Sequence, residues 1–270
     1  MRWLLLFVLL SASIPCPAQI SRTPLQVEPL QLERTDLSDV LGLLCPGQEY
    51  IGQDSGCHTC PPRFKTAPGR VDASIASAIR GHFLKLDSDD LLLSLVDCGS
   101  VLLTRSASGW YVSQTDALPS GQCRKVSGRD GRDGLVCFAV TSSRDSQLAQ
   151  LSFGYIAGDN ADLLQAFDNT ASACDQPKRV VIQSAILDVK FVPGSGKKLT
   201  LRITATCRKG LLNANSLKAC KSGTGFEDIG PAAPFRNFRI DYNFDGTTLS
   251  LASASRIAKL AYDACAEQTQ

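Results

Sequence analysis

Residues 82–113, HFLKLDSDDLLLSLVDCGSVLLTRSASGWYVS, decide the fold. Two short apolar runs, Leu91–Val96 and Val101–Thr104, stand between turns of Asp, Ser and Gly, and the stretch ends on Trp110 and Tyr111. Runs of four to eight Leu and Val residues bounded by turn formers read as buried strands, because they are too short for core helices. Residues 123–157, CRKVSGRDGRDGLVCFAVTSSRDSQLAQLSFGYIA, repeat the plan with strands at Leu135–Val140 and Leu148–Phe153 and a closing aromatic.

Leu91 aligns with Leu135 at an offset of 44 residues, within the roughly 40 to 50 residues of one propeller blade. Two weaker echoes follow, residues 186–207 (ILDVKFVPGSGKKLTLRITATC) and 235–255 (FRNFRIDYNFDGTTLSLASAS). In each a Gly-containing turn precedes alternating apolar residues, Leu199, Leu201 and Ile203 in one and Leu249 and Leu251 in the other. The period is not kept, since Leu135 to Leu199 is 64 residues and Leu199 to Leu249 is 50. The expected architecture is therefore mainly β, with propeller-like or meander antiparallel sheets, a Cys-rich N-terminal segment and a C-terminal helix.

Outside the strands, residues 19–34 (QISRTPLQVEPLQLER) carry spaced prolines and no period, which predicts an extended arm. Asp36 is placed to cap a short helix in which Leu37, Val40, Leu41 and Leu44 share a face, ended by Pro46-Gly47. A loop with Cys45, Cys57 and Cys60 follows, too poor in apolar residues to hold its shape without cross-links. Residues 252–266 (ASASRIAKLAYDACA) predict a helix that packs Ile257, Leu260, Ala261 and Ala264 on the β body, with Cys265 as its clamp. The expected layout is a signal peptide over 1–18, arm, helix and Cys-rich loop over 19–70, two blade-like units over 71–160, and further β units with the helix over 161–270.

Compartment follows from the first eighteen residues. Arg2, the apolar run Trp3–Leu10 and the small or Pro residues up to Cys16-Pro17-Ala18 have the pattern of a secretory signal peptide. With Cys16 removed, ten of the 11 cysteines remain: Cys45, Cys57, Cys60, Cys98, Cys123, Cys137, Cys174, Cys207, Cys220 and Cys265. An even set in an exported chain reads as a disulfide framework. Pro15 stands where a lipidated Cys16 would want a small neighbour, and there is no N-x-Ser/Thr acceptor. A secreted or periplasmic location is expected. The apolar run is too short to cross about 30 Å of hydrocarbon, so no membrane span is expected. Without Arg2, 27 of the 28 basic residues face 26 acidic ones, which provides no long-range field for nucleic acid.

The Asp/Gly turns carry a resemblance. Asp87-Ser88-Asp89-Asp90-Leu91-Leu92 and Asp130-Gly131-Arg132-Asp133-Gly134-Leu135, with Asn243-Phe244-Asp245-Gly246 a poorer match, resemble the FG-GAP or VCBS-type repeat of extracellular β-propellers. The resemblance covers residues 82–156 and implies a calcium ion held by turn carboxylates. The chain departs from the pattern, because no loop supplies more than three carboxylates and the first lacks the central Gly. The opening CPG…C-x-x-C-P is also similar to that of exported, Cys-rich bacterial proteins, a resemblance that implies no function.

Each candidate site has a plain structural counterpart. Asp87, Asp89, Asp90, Asp130 and Asp133 could ligate calcium, an ion that takes six to eight oxygens. Asp and Gly are equally the residues of ordinary turns, the favoured reading, so no cofactor is expected beyond that ion. Cys57 and Cys60 lack the second pair a zinc site needs and read as structural disulfides, with thiol exchange as the alternative. Cys123 and Cys137 lie symmetrically about Asp130 and would face each other across a hairpin; Cys207 and Cys220 are a second candidate pair. Asp54-Ser55-Gly56 resembles a serine-protease triplet, but His58 and His82 follow the serine and no triad order results. Gly194-Ser195-Gly196-Lys197-Lys198 lacks the spacing of a phosphate loop and reads as a turn. Trp110 and Tyr111 are candidates for a stacking platform. The expected function is that of an exported, disulfide-stabilised, non-catalytic binding or scaffold protein for an extracellular or periplasmic ligand. The alternatives are an exported hydrolase built on scattered carboxylates and thiol-disulfide exchange through Cys57 and Cys60.

Overall fold

The computed structural model describes residues 24–25, 32, 34–46, 56–59, 70–95, 98–115, 122–143, 146–156, 158, 160–173, 180–194, 199–222 and 230–267. The signal segment, Asp54, Ser55, Cys60, Cys174 and residues 195–198 lie outside them. The chain is mainly β. Helix α1 (Arg34–Leu44) precedes five strands, β1 (Gly56–Thr59), β2 (Arg70–Gly81), β3 (Asp90–Leu95), β4 (Gly99–Ser106) and β5 (Gly109–Thr115), which pair antiparallel in chain order. A second antiparallel sheet runs, again in chain order, through β6 (Gln122–Ser127), β7 (Asp133–Ser142), β8 (Gln147–Gly154), β9 (Asn160–Asp168), β10 (Val181–Pro193), β11 (Leu199–Gly210), β12 (Arg236–Phe244) and β13 (Leu249–Leu251). Helices α2 (Thr170–Ala173) and α3 (Ala214–Ser222) fall in its connections, and α4 (Arg256–Ala266) ends it. Among the described residues no helix is long and apolar enough to cross a membrane.

The meander reading describes this arrangement; four-stranded blades around an axis are not formed by the described strands. The two stretches 44 residues apart belong to different sheets, and both sheets are apolar on two sides. Leu91, Leu93 and Leu95 face α1, joining Val40, Leu41 and Leu44, while Leu92 faces the other way. On that side Ile79, Phe83, Leu92 and Leu102 meet Cys123, Leu135 and Cys137 of the second sheet. The continuous Leu run of β3 thus reflects burial on both faces.

The second sheet folds on itself. Strand β9 is paired with β8 along its length, but with β10 only at Asp168–Gln183. The carbonyls of Leu163, Gln165 and Phe167 point toward the missing partner, and side chains satisfy them. Tyr242 Oη–H donates to Leu163 O at 2.6 Å, Tyr262 Oη–H to Gln165 O at 3.0 Å and Ser184 Oγ–H to Phe167 O at 3.1 Å. An unpaired buried carbonyl would cost about 1–3 kcal/mol, so these three residues make the corner affordable. The halves on either side close over one core that includes Phe138, Leu151, Phe153, Ile203, Phe238 and Phe244. Beyond the corner β10 receives the arm: Leu25 bridges Val189 in parallel and is buried, and Val189 N–H donates to Pro24 O at 3.0 Å.

Three expectations are corrected. Asp36 is the third residue of α1 rather than its cap, and its carboxylate reaches across to the first sheet. Helix α4 is rotated from the expected face: Ala261 and the clamp Cys265 touch the core as expected, joined by Ala258 and Tyr262, while Ile257 and Leu260 are 82% and 69% exposed. Cys207 is bonded to Cys265, not to Cys220. Cys207 points into the main core beneath α4, whereas α3 carries Cys220 to a separate cluster with Val181 and Leu212. Cys45–Cys57 ties α1 to β1, and Cys123–Cys137 joins directly opposed residues of β6 and β7. Cys98 and Cys220 are also disulfide-bonded.

Candidate functional site

The three Asp/Gly turns, distant in sequence, meet at one end of the molecule. The 82–90 loop leads from β2 into β3, the 128–132 turn joins β6 to β7, and the 245–248 turn joins β12 to β13. His82 N–H donates to Asp133 Oδ2 at 2.9 Å and Asp133 N–H returns to His82 O at 2.8 Å, locking the first two turns. Arg129 N–H donates to Gly246 O at 2.6 Å, and Tyr155 Oη–H donates to Thr247 O at 3.0 Å. Gly246 has φ 101°, and a Cβ there would meet Arg129 Cβ at 2.5 Å, so only glycine permits both the turn and the approach.

The carboxylates of this end are occupied. Asp90, fully buried, accepts from Phe83 N–H at 2.8 Å, Leu84 N–H at 2.9 Å, Ser88 Oγ–H at 2.5 Å and Thr104 Oγ1–H at 2.7 Å. His82 Nδ1 is in hydrogen-bond contact with Ser88 O. Asp89 is gripped by Arg80 Nε and Nη2 at 2.7 and 2.5 Å, and hydrogen bonding to that guanidinium holds its carboxyl below the usual range. Arg132 does the same for Asp130 at 2.9 Å. Asp133 is buried, with Lys125 Nζ 3.8 Å away. The N–H groups of Thr248 and Thr247 and the Thr248 hydroxyl lower Asp245. Asp87 is exposed and does not join the others. Among the described residues no three His, Cys, Asp or Glu side chains are grouped to hold a metal. The four donors on Asp90 divide three to Oδ2 and one to Oδ1.

Trp110 and Tyr111 are consecutive on β5 and point to opposite faces, so they do not form one platform. Trp110 packs with the α1 core, its ring between Arg80 and Arg105 at 5.8 and 5.5 Å. Its Nε1–H and both guanidinium groups converge on buried Asp36, each at 3.3 Å. Tyr111 is half-exposed on the other side. Spacing gave no sign of this four-residue pin, because its members are up to 74 residues apart. Cys57 is buried and bonded to Cys45, so a Cys57–Cys60 exchange pair does not exist in this structure.

A cleft of about 340 Å³ lies between β9 and α4, lined by Asp162, Gln165, Lys259, Asp263, Ala266 and Glu267. Lys259 Nζ–H donates to both Asp263 oxygens at 2.8 and 2.6 Å, and Gln150 and Gln165 amides donate to Asp162. Of the carboxylates displaced in titration, Asp89, Asp130, Asp241 and Asp245 all move down, whereas a general acid at neutral pH needs to move up. Compared with known proteins, the chain matches no family model, no curated protein and no solved structure.

Proposed function

We propose that this chain is an exported, disulfide-stabilised, non-catalytic binding or scaffold protein, processed after Ala18 and working in a secreted or periplasmic setting without nucleic acid, membrane span or obligatory cofactor. One observation carries the reading: at the end where the turns converge, the Asp89, Asp90, Asp130, Asp133 and Asp245 carboxylates are engaged by donors of the protein itself. Groups held in this way by the protein's own donors fix the turns against one another and shape a rigid surface. The bonded cysteines and the chain-order meanders support the same rigid role. In the FG-GAP-like analogy the turns are presented to a partner, and their stacking here is compatible with that use.

Export is tested by the mass of the chain recovered outside the cytoplasm, expected to begin at Gln19. The hydrolase alternative is tested with nitrophenyl esters, phosphates and glycosides and with fluorogenic peptides on the oxidised protein. No turnover above buffer is expected. Turnover that disappears in Asp162→Asn or Asp263→Asn would overturn the non-catalytic reading.

A further inference from the structure

Among the described residues no carboxylate takes the fork of Arg208. On β11 it stands opposite Gln183 of β10. The ladder with β12 ends one residue earlier, at Cys207–Arg236, and Phe235 covers the vacated position, its ring centroid 4.2 Å from the Arg208 guanidinium carbon. Gly230 closes the other side: a Cβ there would land on Arg208 Nη2 and lie 2.6 Å from Cζ. The guanidinium is thus held in a slot between a ring and a bare Cα.

Its orientation is set through a chain of hydrogen bonds. Arg208 Nε–H donates to Gln183 Oε1 at 2.6 Å, Gln183 Nε2–H donates to Thr170 Oγ1 at 2.8 Å, and Thr170 Oγ1–H donates to Asp168 Oδ1 at 2.5 Å. Asp168 Oδ1 also accepts Thr170 N–H at 2.8 Å, so the acid fixes the relay rather than pairing with the cation. Neither Nη1 nor Nη2 has a hydrogen-bond acceptor among the described residues. Burial lowers the pKa of Arg208 from that of free arginine, against the smaller opposing attraction of Asp168. Around it Phe235, Leu211 and Val180 are half-exposed apolar side chains, the last two flanking the Val181–Gly210 pair.

A planar guanidinium with Nε and one face already committed, and with no acceptor on Nη1 or Nη2 among the described residues, matches a carboxylate. We propose that Arg208 anchors a binding site for the carboxylate of a ligand whose apolar part rests on Phe235 and Leu211. Such a carboxylate comes from a free aryl or alkyl acid or from the C-terminus of a peptide ending in an apolar residue. The site lies apart from the three turns, and its assignment does not depend on the protein being non-catalytic.

The test titrates 3-phenylpropionate, and separately Ala-Ala-Phe with a free C-terminus, into oxidised protein at near-physiological salt, reading the Arg208 Nε–Hε resonance and the Phe235 ring. A ligand of this size is expected to bind with a dissociation constant on the order of 1 mM. Arg208→Gln is expected to weaken binding at least about tenfold, as is Gly230→Ala, which keeps the guanidinium but displaces it. Neutral 3-phenylpropanamide is expected to be weaker by a similar factor. A response from the acid alone, or from the peptide alone, identifies the source of the carboxylate. No response to either at about 20 mM, roughly twenty times that constant, or equal binding by the amide or by both variants, would overturn the assignment.

Discussion

Replacing Asp90 by Ala tests whether the first acidic turn is a staple or an ion site. The substitution removes an acceptor from Phe83 N–H, Leu84 N–H, Ser88 Oγ–H and Thr104 Oγ1–H. Ser88 Oγ–H can turn from Asp90 to Lys85 O, 2.9 Å away, and Leu84 is half-buried, so water can reach its N–H. Phe83 N–H stays buried and becomes an orphan, and the buried Thr104 hydroxyl loses its charged acceptor and keeps only Ser113 Oγ, at 2.6 Å. At about 1–3 kcal/mol for the Phe83 orphan and about 1.5–3 kcal/mol for the Thr104 bond to a charged acceptor, less the relief of no longer burying a carboxylate, a net loss of about 3 kcal/mol is expected. For a chain of this size that lowers Tm by about 6–12 °C. The assay is urea and thermal unfolding of the oxidised protein, wild type and Asp90→Ala, with calcium at about 5 mM and with chelator. A staple loses the same stability in both conditions, and wild type melts alike in each. If Asp90 instead held calcium, wild type would gain about 2.7 kcal/mol at a hundredfold excess over Kd, and the variant would lose that gain. A loss under 1 kcal/mol, or one seen only with calcium, would refute the staple account.

Two further outcomes are expected. Burial pushes the hydroxyls of Tyr242 and Tyr262 up to about 12; a raised folded pKa gives stability that is complete below the unfolded value near 10 and is lost as pH rises through 12. Stability should fall by about 2.7 kcal/mol per pH unit between those limits, and Tyr262→Phe should halve the slope, read by urea midpoints; an unchanged slope would contradict the burial account. Removing the Cys207–Cys265 bridge, which spans 58 residues, as Cys207→Ser with Cys265→Ser should cost about 4 kcal/mol on the loop-entropy model. Hydrogen exchange should then show α4 opening ahead of β11; α4 amides protected as before would mean that Tyr262 alone holds the helix.

How much of this was legible depended on the range of the interaction involved. Strand positions follow from runs such as Leu91–Val96 and Leu148–Phe153, since a strand's burial repeats every second residue and can be read in a short window. The facing of Cys123 and Cys137 follows from one tight hairpin and needs no distant contact. The face of α4 is a different case. The helix has apolar side chains on two sides, and periodicity cannot choose between Ile257 with Leu260 and Ala258 with Tyr262. The choice is made by Cys207, 58 residues away, and by Gln165 O, which needs the Tyr262 hydroxyl because β9 has no partner there.

By itself, then, the sequence determined the mainly β class, the strand segments, the presence of the terminal helix and the disulfide-rich character of the chain, all of which arise from local patterns and composition. Only the tertiary structure decided that the strands divide into two sheets, that the acidic turns meet and bring donors to their own carboxylates, and that Arg208 has its fork unpaired by any carboxylate among the described residues. Those outcomes are set by contacts between segments tens of residues apart, where packing of both sheet faces and the pairing of buried polar groups select among arrangements that the local pattern leaves equal in energy.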